Sequence, residues 1–209
     1  MGVAAWGAAS GVMNWYHFVY VKSPMLLVVW LVVFVVLWGA ARAWAVRRVP
    51  VAWFALVVLL FGAWLWVVGY YTWFSRLEGG DGADRGWFPL FHSWVMFFGG
   101  QEEKFRESFM NGYLYVPGGL WLADILLGWG RVRRRFFQVS ARRRAWTEAK
   151  WFVLACVAVG MFLLSFGIEL GQFWSGRGFA EADDVLHNVL GGVTGGVLCV
   201  VLERLCGNH

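Results

Sequence analysis

Residues 151–173 read WFVLACVAVGMFLLSFGIELGQF, a stretch in which apolar side chains dominate and Glu169 is the single carboxylate. The hydrocarbon core of a bilayer is about 30 Å thick, so an α-helix needs roughly 20 apolar residues to cross it. Lipid offers no hydrogen bonds to an open backbone, and a helix satisfies its own. The stretch therefore predicts a transmembrane helix.

Four other stretches have the same character, at residues 25–41, 51–71, 111–129 and 185–205. Hydrophobic side chains make up 60% of the 209 residues and charged ones only 15%. This is more apolar surface than one soluble core can bury. We therefore predict an all-α, polytopic helical membrane protein of the cell membrane with about five transmembrane helices.

Two further segments differ from these spans. Residues 72–110 mix acidic residues with glycines and are too polar to cross a bilayer. Within them, residues 87–98 are aromatic and apolar but short, at roughly 12 residues, which suits an interfacial or re-entrant segment in a long outer loop. Residues 3–21 are interrupted by Asn14 and His17. They are either a sixth crossing or an interfacial helix.

The orientation follows from the basic residues, because Lys and Arg are retained in cytoplasmic loops. Three arginines lie in residues 42–48 and eight basic residues in residues 131–150, whereas acidic residues outnumber basic ones in residues 72–110 and 174–184. This alternation predicts a cytoplasmic C-terminus and, with five spans, an N-terminus outside. The arginine clusters are explained as topology determinants, so we predict no nucleic-acid partner.

Polar residues inside a membrane are costly, and they therefore point to function. Gln172 follows Glu169 at i+3, on the same helix face. The predicted outer ends of the last three spans collect eight such side chains, which we interpret as candidate ligand-binding residues. They are Asn111, Glu169, Gln172, Arg177, Asp183, Asp184, His187 and Asn188.

These residues also have structural interpretations. Asp183 or Asp184 can cap a helix. Glu169 needs a partner or a raised pKa, and an ion pair with Arg177 or a contact with His187 would supply the partner.

Asp184, Asn188, Gly191 and Gly195 are spaced by four, three and four residues, so they form one stripe along a helix. Asn188 can donate a hydrogen bond to a neighbouring helix. Gly191 and Gly195 form a small-xxx-small pair, and we expect them to pack helices closely.

Four ordered motifs resemble those of VanZ-like membrane proteins, the teicoplanin-resistance family. They read FPLF at residues 88–91, NGYLYVPG at 111–118, SFGIELGQFWSGRGF at 165–179 and DDVLHNVLGG at 183–192. Gly112 and Gly119 depart from a motif that is normally more aliphatic. The resemblance covers residues 51–205, and it leaves residues 1–50 as an N-terminal segment with an extra transmembrane helix.

The family takes its name from a member that lowers susceptibility to the lipoglycopeptide teicoplanin. The resemblance implies that this chain reduces such susceptibility by binding or handling an amphiphile at the outer membrane surface. The implied partners are membrane lipids and a lipid-linked cell-wall precursor or a lipoglycopeptide, with no cofactor. Arg177 would be available to a phosphate group.

Two other functions use the same sequence. In an intramembrane hydrolase or transferase, Glu169 would be the general base, His187 an acid or base, and Asp183 or Asp184 its orienting group. Zinc needs more convergent ligands than these residues supply, so we predict no metal. A lipid or small-molecule transporter is the third hypothesis. Against it, we expect no polar residues in the cytoplasmic halves of the last three spans and find no inverted repeat.

Overall fold

The computed structural model describes residues 24–70, 72, 86–100, 102–137, 150–176 and 180–207. Contacts divide the chain into two compact units, Met1–Ala45 and Val46–His209. The predicted sixth crossing or interfacial helix at residues 3–21 lies outside the described residues, and so does Arg177.

Helices account for nearly all of the described chain, which confirms the prediction of a helical protein. The six described helices are α1 (Pro24–Arg48), α2 (Pro50–Gly69), α3 (His92–Phe98), α4 (Glu102–Phe137), α5 (Lys150–Ser175) and α6 (Ala182–Gly207). Two short strands, β1 (Trp87–Phe88) and β2 (Ala180–Glu181), pair in parallel.

Four of the described helices are long and apolar enough to cross a membrane, over Leu27–Arg48, Pro50–Gly69, Lys150–Ser175 and Ala182–Leu205. Large apolar side chains such as Leu59 and Leu163 are exposed on them, as a bilayer environment allows. Residues 111–129, the third predicted span, lie inside α4. This helix is less apolar than the other four, because charged residues such as Glu102 and Arg131 occupy both of its ends and Asp124 lies in its middle.

Glycines set the distance between α4 and α6. A side chain added at Gly191 would collide with the backbone carbonyl of Gly112, and one added at Gly119 would collide with that of Gly192. At Gly195 the obstacle is the carbonyl of Val116. The two departures from the aliphatic family pattern, Gly112 and Gly119, thus lie where α6 approaches the α4 backbone.

Two tryptophans of α2 hold that helix against α4. The Trp53 indole N–H donates to Asp124 Oδ2 at 3.0 Å, and the Trp64 indole N–H donates to the Leu114 carbonyl at 3.0 Å. Trp64 also meets Tyr115 edge to face, with ring centroids 5.4 Å apart. The earlier residue of α2, Trp53, contacts the later residue of α4, Asp124, and the later one, Trp64, contacts the earlier one, Leu114. Helices α2 and α4 are therefore antiparallel.

Helix α5 runs antiparallel to α6. Asn188 Nδ2 donates to Ser165 Oγ at 2.9 Å, and Gly192, one turn further along α6, faces Met161, one turn earlier in α5. Helix α4 runs in the same direction as α6. The first half of α4, the last turns of α5 and the first turns of α6 therefore lie at the same end of the unit Val46–His209.

We expect Gly191→Ala to destabilise the fold, because the atoms in its way are backbone atoms of Gly112 and cannot move independently. Overpacking of this kind costs about 1–3 kcal/mol. Thermal unfolding in detergent micelles should show a Tm lowered by several degrees. Gly167→Ala is the matched control, since its added carbon meets nothing within 4 Å and alanine favours the helix. Equal Tm values for the two variants would contradict this account of the α4–α6 contact.

Candidate functional site

The first half of α4 meets the start of α6 through a polar contact. Asn111 Nδ2 donates to Asp184 Oδ2 at 2.7 Å. The Asn188–Ser165 hydrogen bond lies one turn deeper along α6. Together with Glu169 and Tyr115, these residues form what we call the polar cluster: Asn111, Tyr115, Ser165, Glu169, Asp184 and Asn188.

Glu169 is 4% exposed, and its Oε2 accepts a hydrogen bond from the backbone N–H of Glu181 at 2.9 Å. Glu181 belongs to β2, which pairs with β1. A buried carboxylate needs hydrogen-bond donors to offset its lost hydration. The structure supplies one of these donors from the backbone of β2, whereas Arg177, a partner predicted from the sequence, lies outside the described residues.

Asp183 caps a helix, but the helix is α3 rather than its own. Its carboxylate accepts from the backbone N–H of Phe91 at 2.5 Å, from that of Ser93 at 2.7 Å and from Ser93 Oγ at 2.6 Å. Phe91, which precedes the helix, has a positive φ of 69°. The open N–H groups at a helix start are satisfied by such an acceptor. Asp183 thereby fixes residues 86–100 to the start of α6.

His187 is oriented by backbone and by an aromatic ring. Its Nδ1 lies 2.7 Å from the Asp183 carbonyl oxygen, and since a carbonyl only accepts, Nδ1 carries the proton. The imidazole stacks against Trp94 of α3, with centroids 6.3 Å apart and planes inclined by 15°. The orienting group is thus the main chain of Asp183, whereas the Asp183 carboxylate is engaged with α3.

Gln172 contacts the end of the α2 region. Its Nε2 donates to the Thr72 carbonyl at 3.1 Å, and the Thr72 hydroxyl donates to the Val68 carbonyl at 2.6 Å. Gln172 is buried. Its amide therefore joins α5 to the chain that follows α2.

An apolar groove of about 380 Å³ is bounded by β1, α5 and the first turns of α6. Its walls carry no polar surface. The lining residues are Trp87, Leu90, Phe162, Phe166, Ala182, Val185, Leu186 and Val189. Trp87 of β1 meets Phe166 and Phe173 edge to face, at centroid distances of 6.3 and 6.4 Å. Glu169 of the polar cluster holds β2 through the Glu181 N–H, and β2 pairs with β1, which carries Trp87 of the groove. The two strands therefore connect the polar cluster with the groove.

Sequence reasoning missed a buried carboxylate. Asp124 is 2% exposed and accepts the Trp53 indole N–H. It lies in the second half of the third predicted span, residues 111–129. The expectation of no polar residues in that part of the last three spans is therefore wrong. Asp124 is absent from the predicted site because the sequence places no other candidate residue near it, in the second half of the span.

Tyr115 and Ser165 were not among the candidate site residues either. Both had a sequence signal, since Tyr115 follows Asn111 by four residues and Ser165 precedes Glu169 by four. Residues four apart on a helix lie on one face.

Among the residues that the structure describes, no group of three His, Cys, Asp or Glu side chains could hold a metal ion.

These features define a helical membrane protein with a buried polar cluster and an apolar groove at one end of its helices. The chain belongs to the VanZ/LLP1 family, whose model matches residues 23–203. The match confirms the family resemblance and takes in α1, while the division at residue 50 stays a prediction. No curated protein and no solved structure matches the chain.

We expect Asp183→Ala to release residues 86–100, because three hydrogen bonds to the start of α3 are lost together. Loss of a helix cap costs about 0.5–2 kcal/mol. Hydrogen exchange measured by mass spectrometry should become faster in this segment. Ser93→Ala is the graded control, since it removes only the hydroxyl bond and should give a smaller effect. Unchanged exchange in Asp183→Ala would show that other contacts hold the segment.

Proposed function

We propose that this VanZ-like protein binds or handles an amphiphile, lipid-linked or acylated, at the outer membrane surface and so reduces susceptibility to teicoplanin-type lipoglycopeptides. The proposal is carried by one observation, the polar cluster and the apolar groove on the same two helices. Glu169 follows Phe166 by three residues in α5, and Asp184 directly precedes Val185 in α6. An amphiphile has both a polar group and a hydrocarbon chain.

The groove supports a hydrocarbon occupant. Apolar surface favours apolar neighbours over water, and every residue around this groove is apolar. A volume of about 380 Å³ corresponds to roughly 13 water-sized groups at ~30 Å³ each. This size suits part of one acyl or isoprenoid chain.

We further propose that α4 is the fifth crossing, with the N-terminus outside and the C-terminus in the cytoplasm. The support is its packing, since α4 lies along α6 through Gly112 and Gly119, and its Asp124 is hydrogen-bonded. A helix enclosed by others tolerates polar residues that a lipid-facing one does not.

A reporter fused after the last residue tests this orientation. Alkaline phosphatase, which is active outside the cytoplasm, should be inactive in the fusion, and green fluorescent protein should fluoresce. Matched fusions after Gly176, between α5 and α6, should give the opposite result. The proposed orientation is wrong if the C-terminal fusion has phosphatase activity.

Expression in a sensitive host tests the resistance function. We expect a severalfold rise in the inhibitory concentration of teicoplanin. Val189→Trp, which fills the groove, should abolish that rise. Leu190→Trp is the matched control, because Leu190 is the neighbouring residue, is 54% exposed and does not line the groove. If neither teicoplanin nor vancomycin susceptibility shifts while the protein is present in the membrane, the resistance function is rejected.

Glu169→Gln separates binding from catalysis at the same site. Glutamine keeps an oxygen that can accept the Glu181 N–H, so a binding site should retain most of its effect. A general base would lose its activity with the same substitution. Loss of resistance in a correctly folded Glu169→Gln protein, with His187→Ala also inactive, would favour the intramembrane hydrolase or transferase.

A further inference from the structure

Two buried polar atoms of the polar cluster have no hydrogen-bond partner among the described residues, the Tyr115 hydroxyl and the Asn188 side-chain carbonyl. Tyr115 is 2% exposed and Asn188 is 5% exposed. Buried polar groups are nearly always paired, and an unpaired one often marks a bound molecule. The two atoms are therefore the strongest sign of a ligand in the described chain.

Both atoms lie around Ser165. The Asn188 amide nitrogen donates to Ser165 Oγ at 2.9 Å. The Tyr115 hydroxyl lies beside Ser165 but makes no hydrogen bond of ordinary geometry with it. Turning the Asn188 amide over would bring its oxygen to Ser165 and leave its nitrogen without a partner instead. Neither orientation satisfies the whole amide from within the protein.

We propose that Tyr115, Ser165 and Asn188 surround a site for one hydroxyl group, that of a water molecule or of a hydroxyl-bearing lipid headgroup. A hydroxyl oxygen accepts from the Tyr115 O–H and donates its own proton to the Asn188 carbonyl. Buried waters typically make about three such bonds. A hydroxyl group that belongs to a lipid headgroup rests on the proposed function, and it names the chemical class of the amphiphile in that function.

Charged ligands fit this site less well. An anion cannot donate to the Asn188 carbonyl, and the carboxylates of Glu169 and Asp184 lie within electrostatic range of the Tyr115 hydroxyl and would repel it. A cation can contact the oxygens but cannot accept the tyrosine proton. A neutral group that both donates and accepts satisfies both atoms at once.

A double-mutant cycle tests the site, because Tyr115 and Asn188 share no direct hydrogen bond. Ser165 lies beside both and could couple them, so it is replaced by alanine in every variant, and any coupling that remains needs a bridging group. Tm is measured for Tyr115→Phe, Asn188→Leu and the double variant of the full chain in dodecyldimethylamine oxide micelles, whose headgroup carries no hydroxyl. We expect each single variant to lower Tm by about 2–4 °C and the double variant to lose less than the sum. Tyr113→Phe with Asn188→Leu is the matched control and should be additive. If Asn188→Leu does not fold, Asn188→Ala replaces it.

Added lipid distinguishes the two sources of the hydroxyl. Coupling in micelles alone assigns the site to water. Coupling that appears with phosphatidylglycerol and not with phosphatidic acid assigns it to a headgroup hydroxyl. Additive shifts in every condition overturn the proposal, and so does coupling that requires Na⁺ and disappears in choline, which would indicate a cation.

The susceptibility assay keeps the two proposals apart. Resistance with additive Tm shifts retains the proposed function and rejects the hydroxyl site. Coupling without a teicoplanin shift retains the site and rejects the resistance function.

Discussion

The backbone contact between α4 and α6 is the constraint on which the rest of the described unit depends. At Gly191 and Gly195 there is no room for even one carbon atom, because carbonyl groups of α4 occupy the place. In lipid, helices associate through packing and hydrogen bonds rather than through the hydrophobic effect, so close approach is the main source of stability. The Asn111–Asp184 bond connects the same pair of helices, and it needs the first half of α4 to lie close to the start of α6.

Buried polar side chains in this structure hold non-helical backbone as well as each other. Glu169 accepts from Glu181 in β2, Gln172 donates to Thr72 after α2, and Asp183 accepts from Phe91 and Ser93. Irregular backbone in a membrane protein is tolerated only where its polar groups are satisfied. The same side chains that predict a ligand site thus also support the connections around it. The polar cluster and residues 86–100 are therefore physically linked, because Glu169 holds β2 and β2 pairs with β1.

Hydropathy predicts the helices well, because lipid demands long apolar segments, and α5 and α6 lie close to their predicted bounds. Helix α4 extends well beyond residues 111–129. Hydropathy does not predict its ends, because polar residues such as Glu102 and Arg131 are compatible with a helix and with a loop. The pairing of β1 with β2 has no local signal, because the strands are two residues long and far apart in sequence. Likewise Asp183 reads as a cap in the sequence, but only the tertiary structure identifies α3 as the helix that it caps.

This long-range cap has a consequence for biosynthesis. Ser93 and Asp183 are separated by 90 residues, and the carboxylate is the later of the two to leave the ribosome. Residues 86–100 therefore emerge well before the group that fixes them is synthesised, and α4 and α5 are made in the meantime. During that interval the N–H groups at the start of α3 depend on water or lipid headgroups as acceptors. These three hydrogen bonds can form only when the start of α6 arrives, so this end of the protein is completed late in synthesis.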